Sequence, residues 1–286
     1  MSDPKQVAGL SVVITGNTLG FGLAATRLLA RLGARVLVSG PDRADSEHVA
    51  ARLRDAGAVA LAADGDVTHP EHVDALAATA VSEFGGLDVW VNNAAYDTPG
   101  MARTLEYSRE VVPGVTAVNI LGTYYGTRAA LEVMVQKGRG LLVNVTGRGD
   151  DLRPAKYTSA YAASKAWIRS FTRTVAAEYA DSGVQVVAFN PGLMATGRLT
   201  TEATDSVLAD ERTMKLYRFV TSALADPPEV AATRLAQLVA AAQDGDVPSE
   251  VRLITPSRIA RGLATAVGRG GRSISGTSPE AHQSGD

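Results

Sequence analysis

Short apolar runs alternate along this chain with longer stretches of helical period, and that alternation predicts a parallel sheet. Residues 10–15 (Leu-Ser-Val-Val-Ile-Thr) are apolar and β-branched, as a strand buried on both faces must be. A glycine-rich turn, Gly16-Asn17-Thr18-Leu19-Gly20-Phe21-Gly22, leads into a helical pattern over 23–32 that Gly33 closes. The same grammar recurs, with strands expected at 35–39, 58–63, 87–91, 140–146, 184–189 and, more briefly, 250–254. Between them lie helical patterns over 44–56, 70–84, 108–136, 156–180 and 227–242. Thr68-His69-Pro70-Glu71 reads as a capping box, and Asp226 as the cap of the last helix. Strands joined by helices of this length predict an α/β fold with right-handed crossovers. Residues 197–225 have no clean period and are expected to cover a substrate. From Gly268 to residue 286 the chain is glycine, serine and arginine with almost no apolar content, so a disordered tail is expected after one domain over 1–267.

Composition narrows the function. At 286 residues the chain suits one large α/β domain. Its 28 basic and 30 acidic residues give a charge of −2, which calls for neither nucleic acid nor an anionic membrane. The absence of cysteine excludes disulfides, zinc thiolates and thiol nucleophiles. His69 and His72 stand three apart without cysteine or acidic partners in a ligand pattern, so they are expected on the surface and no metal is expected. Residues 1–6 lack the apolar core of a signal peptide, and no apolar run is long enough to span a bilayer. A cytoplasmic protein is expected.

Two stretches carry candidate chemistry. A glycine-rich turn between a strand and a helix is the setting in which a pyrophosphate binds, because glycine permits close approach and the helix offers free N–H groups. Farther on, Tyr161-Ala162-Ala163-Ser164-Lys165 places a phenol and an ammonium four apart, on one helix face. Bringing a tyrosine from its ordinary pKa near 10 to neutrality takes roughly 4 kcal/mol. One lysine charge at about 4 Å supplies an amount of that order at an effective dielectric near 20. The pair is adequate as a tuned acid/base. Asn119, in the middle of the 108–136 pattern, is a mediocre helix residue and is either a polar face residue or a placed hydrogen-bonder.

Taken together, Thr15-Gly16-x-x-x-Gly20-x-Gly22, Asp66-Val67, Asn92-Asn93-Ala94-Ala95, Asn119, Tyr161-x-x-x-Lys165 and Pro191-Gly192-x-x-x-Thr196 resemble the short-chain dehydrogenase/reductase family, in its single-domain branch. The resemblance covers residues 8–255 and implies a Rossmann-type doubly wound three-layer sandwich with a mostly parallel seven-stranded sheet. It implies a nicotinamide cofactor held by Gly16, Thr18, Leu19, Gly20, Phe21 and Gly22 at the pyrophosphate and by Asp66 and Val67 at the adenine. Asn93 and Ala94 would border the ribose, and Pro191, Gly192, Leu193 and Thr196 the carboxamide. Tyr161 would exchange the proton, Lys165 would bind the nicotinamide ribose and lower the Tyr161 pKa, and Asn119 would hold a relay water. The implied reaction is hydride transfer between a secondary alcohol and a ketone, or reduction of an activated double bond. A homodimer or homotetramer is implied. The second strand ends in Ser39-Gly40-Pro41 with no carboxylate before Asp42, and Arg43 follows, which suits the 2′-phosphate of NADP(H) over NAD(H).

Two departures stand out. Ala95 replaces the family's glycine, a mild change. More consequentially, Gly147 occupies the place of the family's serine, which donates to the substrate oxygen. Thr146, Ser159, a held water or a substrate group could replace that donor, although strand alternation argues against Thr146. Arg148 reads as a solvated loop residue or as a reader of an acidic substrate. The missing serine supports an alternative reading, a cofactor-binding sensor or partner subunit with little turnover. A nucleotide-sugar epimerase, which also pairs Tyr and Lys, is disfavoured for want of a sizeable C-terminal substrate domain.

Overall fold

The computed structural model describes residues 4–98, 100–194, 203–245 and 247–255. Its strands are β1 (Ser11–Ile14), β2 (Arg35–Gly40), β3 (Ala60–Asp64), β4 (Val89–Asn92), β5 (Gly140–Val145), β6 (Val184–Asn190) and β7 (Glu250–Arg252). They form one sheet in the order β3-β2-β1-β4-β5-β6-β7, with every pairing parallel. The helices are α1 (Gly20–Arg31), α2 (Arg43–Asp55), α3 (Pro70–Phe84), α4 (Val111–Val115), α5 (Gly122–Lys137), α6 (Ser159–Glu178), α7 (Asp205–Leu208), α8 (Glu211–Leu224) and α9 (Pro228–Ala242).

A parallel sheet buries both faces, which is why its strands are nearly all apolar. On one face Phe21, Ala25 and Leu29 of α1 pack with Val49 and Leu53 of α2 and Leu235 and Val239 of α9. On the other, Val73 and Leu76 of α3 pack with Met134 of α5 and Val175 of α6. Strand order reverses between β1 and β4, so the ends of those two strands open a crevice, the place where such sheets bind ligands.

Several expectations change. The pattern over 108–136 is not one helix: α4 and α5 are joined by a π-helical turn, Thr116–Leu121, with Asn119 fully buried in it. Thr68 does not cap α3, because its Oγ1 donates to Asp66 Oδ1 (2.7 Å) and His69 is the N-cap residue, with no side-chain cap bond. Asp226 does not cap α9 either; Pro227 holds that position and the Asp226 N–H goes to the Leu193 carbonyl (2.9 Å). Within the stretch that lacked a period, α7 and α8 are helical. In α8 only Leu224 is fully buried, with Met214, Tyr217 and Val220 half-buried on the same side of the helix. Thr196 and residues 268–286 lie outside the described residues.

Candidate active site

The crevice is built where β1 and β4 end side by side. Thr15 Oγ1 accepts the N–H groups of Asn93 and Ala94 (3.1 Å each), and Asn93 Nδ2 donates to the carbonyls of Thr15 and Gly16 (2.9 Å each). This clamps the glycine turn against the loop after β4. It leaves no room for side chains: a Cβ on Gly22 would lie 2.5 Å from Asn93 Nδ2, and one on Gly16 2.9 Å from Ala94 Cα. Gly20 shares a positive φ with Gly16 (+58° against +64°), but its missing Cβ would face open space at the mouth of α1, so conformation rather than room calls for glycine there. Ala95 is not at a positive φ, so the methyl in place of glycine strains nothing.

A cavity of about 1330 Å³ runs from this turn along the strand ends. Its wall includes Gly16, Thr18, Leu19, Gly20, Phe21, Gly22, Asp66, Val67, Asn93, Ala94, Thr146, Tyr161, Lys165, Pro191, Gly192 and Leu193. These residues come from six separate stretches. A tight glycine cradle at a helix N-terminus, beside a cavity of this size, fits an extended dinucleotide with room left for a small substrate. Two candidates stand off the wall. Arg43 is the first residue of α2, exposed, 3.5 Å from Asp64. Asp42 N-caps that helix, its Oδ1 accepting the N–H groups of Ala44 (2.7 Å) and Asp45 (3.3 Å). Asn119 sits behind the wall.

At the other end of the cavity, α6 carries Tyr161 and Lys165. Lys165 is 2% exposed; its Nζ donates to the Val145 carbonyl (3.0 Å) and lies 5.4 Å from the centre of the Tyr161 ring. Burial pushes its pKa down to about 8, against the opposing pull of Asp97 and Asp150. The ammonium is therefore still charged at neutral pH. Asn119 braces this region. Its Oδ1 accepts the Tyr96 N–H (2.7 Å), and its Nδ2 donates to the Tyr96 carbonyl (3.1 Å) and to Ser164 Oγ (3.0 Å). The loop after β4, the π turn and α6 are thus joined through one amide.

Gly147 faces the Tyr161 hydroxyl. A Cβ there would lie 3.1 Å from Tyr161 Oη. Thr146 is also on the wall and 3% exposed, with its own N–H bonded to the Phe189 carbonyl (2.9 Å). Ser159 faces elsewhere: its hydroxyl lies 3.1 Å from Thr104 Oγ1, in a second cavity of about 660 Å³. Arg148 lines the main cavity and donates to the Lys156 carbonyl (3.4 Å).

Several wall and support residues carried no sequence signal. Asp97, Thr158 and Tyr217 line the cavity from three separate segments. Asp150, 3% exposed, is paired with Arg252 (3.0 Å) and Asn190 (2.9 Å), partners 102 and 40 residues away. Nothing local distinguishes such residues from surface polars. Among the described residues no group of three His, Asp or Glu could hold a metal ion, and no helix is long and apolar enough to cross a membrane.

Comparison with known proteins gives the family. A family model described as short chain dehydrogenase matches residues 11–206. The chain is 34% identical over 195 residues to 3beta-hydroxysteroid dehydrogenase 1 of Eggerthella lenta, covering 67% of this chain and 73% of that protein. It is 30% identical over 230 residues to glucose 1-dehydrogenase 2 of Bacillus subtilis, covering 80% and 87%. Among solved structures, a 3-ketoacyl-(acyl-carrier-protein) reductase from Brucella melitensis complexed with NADH superposes with a TM-score of 0.74 at 28% identity, covering 86% of this chain and 96% of that one. On this family match and these identities, the chain belongs to the short-chain dehydrogenase/reductase family of oxidoreductases.

Proposed function

We propose that this chain is a cytoplasmic NAD(P)-dependent oxidoreductase that interconverts a secondary alcohol and a ketone, or reduces an activated double bond, with Tyr161 as acid/base. The observation that carries the reading is Lys165, buried yet cationic at neutral pH, beside the Tyr161 ring in the cavity that begins at the glycine turn. A bound nicotinamide cofactor supplies the hydride. The chain's residues do the rest. Gly16 to Gly22 present backbone N–H groups to phosphate, Asp66 and Val67 meet the adenine, and Pro191 to Leu193 with Thr196 meet the carboxamide. Lys165 stabilises the phenolate of Tyr161 and binds the nicotinamide ribose, so that Tyr161 gives or takes the substrate proton. Asn119, whose amide is committed on both sides, positions the loop after β4 against α6 and leaves any relay water to the backbone around it.

The serine's part is taken by Thr146. Ser159 opens on another cavity, and the Thr158 hydroxyl donates to the Ala155 carbonyl (3.1 Å), which leaves Thr146 as the hydroxyl on the wall beside Gly147. NADP(H) is favoured over NAD(H). Capping engages one oxygen of Asp42, while Arg43, on an exposed helix start, can swing from Asp64 to a 2′-phosphate. A homodimer or homotetramer is the working assembly.

The test is a cofactor-oxidation screen over a broad carbonyl panel. Wild type turns over at least one substrate, and Tyr161→Phe folds, binds NADPH and loses about 10²–10⁴ in turnover. A Phe variant with wild-type activity removes Tyr161 from the reaction. Thr146→Val lowers turnover about 10²–10³-fold if it replaces the serine. The sensor reading is favoured only by Gly147, and it wins if wild type is inert while Gly147→Ser is active.

A further inference from the structure

The covering helix α8 is only partly packed. Of its fourteen residues Leu224 alone is fully buried, Met214, Tyr217 and Val220 are half-buried, and Leu216 and Phe219 are exposed. Hydrophobic packing is the usual source of helix stability in a protein, and here it is incomplete. Yet Tyr217 of α8 lines the cavity that holds Tyr161, so the helix must be held in place.

The polar ties that help to hold it converge on one residue. Tyr157 Oη donates to Asp210 Oδ2 (2.6 Å), and Lys156 Nζ lies 3.7 Å from the same oxygen. Asp210 is the N-cap of α8, its Oδ1 accepting the Thr213 N–H (3.1 Å). The Tyr157 hydroxyl holds the Asp210 carboxyl well below its ordinary range, and the carboxylate in turn pushes the phenol up. Tyr157 itself is fixed from below: its carbonyl accepts both Tyr107 Oη (2.7 Å) and the Ala102 N–H (3.2 Å). It also has a φ of +69°, a left-handed conformation that a tyrosine adopts only when its surroundings impose it. A parallel tie runs from Thr204 Oγ1 to Glu106 Oε2 (2.7 Å), just ahead of α7.

Tyr157 precedes the acid/base by four residues and the first residue of α6 by two. We propose that Tyr157 is a positioning residue for substrate binding: through the Asp210 cap it seats α8 over the catalytic end of the cavity, and so fixes where Tyr217 stands relative to Tyr161. The phenol is spent on the cover and does not touch the reacting atoms. The left-handed backbone is what aims it there, since an ordinary φ would turn the side chain away from Asp210. The substrate-covering part of this inference rests on the oxidoreductase reading; the mechanical part does not.

The experiment therefore reads the latch without turnover. Amide hydrogen exchange is followed by mass spectrometry on the full chain as wild type, Tyr157→Phe and Tyr157→Gly. Phe removes only the hydroxyl. Gly removes the side chain while relieving the positive φ, so it separates latch from strain. The expected result is several-fold faster exchange across residues 203–224 in both variants, with α6 and the sheet unchanged and the Gly variant melting no lower than wild type. On a ketone that wild type reduces, both variants raise KM more than they lower kcat, and NADPH affinity is unchanged. Unaltered exchange over 203–224 in both variants overturns the latch, whatever the protein's activity. Faster exchange with KM unmoved overturns the positioning role alone.

Discussion

Gly147 is the residue whose consequences are most easily measured. Because a Cβ would lie 3.1 Å from Tyr161 Oη, a side chain here is not simply an added donor but a steric load on the Tyr161 phenol. Gly147→Ala is expected to keep the fold and reduce turnover by crowding the phenol, with Gly147→Ser recovering part of the loss through its hydroxyl. An Ala variant faster than wild type would contradict this. Lys165 offers a second test. Its pKa is about 8 in the folded protein against 10.5 when exposed, so between those values the unfolded chain binds the extra proton. Stability due to this group accordingly rises as pH climbs through that window, and the burial cost is fully present below it. Urea unfolding of wild type and Lys165→Met is expected to diverge by about 3 kcal/mol from pH 8 to 10.5, with wild type gaining relative to the variant.

At the scale of elements, the turn-and-strand signals were legible because they are local. Apolar β-branched runs gave the strands, and glycine spacing gave the cradle. The π turn was not legible, since it is fixed by Tyr96 and Ser164, 23 and 45 residues from Asn119. Likewise the seating of α8 was not legible, because its packed face is only half-buried and one of its anchors is a hydrogen bond from Tyr157, 53 residues before Asp210. Asn119→Leu would leave the Tyr96 N–H and carbonyl unpaired. It is expected to destabilise by about 1–3 kcal/mol, because the groups left unmet are only part-buried, as read by thermal or chemical unfolding. A tighter constraint lies between α5 and β4. A methyl on Gly126 would fall 2.0 Å from Asn92 Oδ1, the atom that accepts Trp90 Nε1 (2.7 Å). Gly126→Ala is expected to cost about 1–3 kcal/mol or more, because the helix must move off the sheet.

For the whole molecule, charge is nearly balanced and interaction must come from shape and apolar surface. Trp167 and Phe171 of α6 stack at 4.7 Å, with the half-exposed Tyr124 of α5 at 6.3 Å from Phe171. An aromatic face on two neighbouring helices is a fitting surface for self-association. Light scattering is expected to report a dimer or tetramer, and Trp167→Asp to shift it toward monomer. Cofactor preference is read at this scale too: Arg43→Ala is expected to lower the NADPH/NADH affinity ratio, and an unchanged ratio would remove Arg43 from recognition.

The seventh strand reaches back to a loop 102 residues before it. Arg252 grips both oxygens of the buried Asp150 (3.0 and 3.1 Å), and Glu250 takes two nitrogens of Arg169 (3.1 and 2.9 Å), whose Nη1 also donates to the Asp150 carbonyl (3.2 Å). Asp150 lies on the loop that begins at Gly147. A chain shortened to residue 249 keeps the glycine turn and loses these ties, and it is expected to retain NADPH fluorescence enhancement while losing turnover, so that a strand at the sheet's edge decides how firmly a loop beside Tyr161 stands.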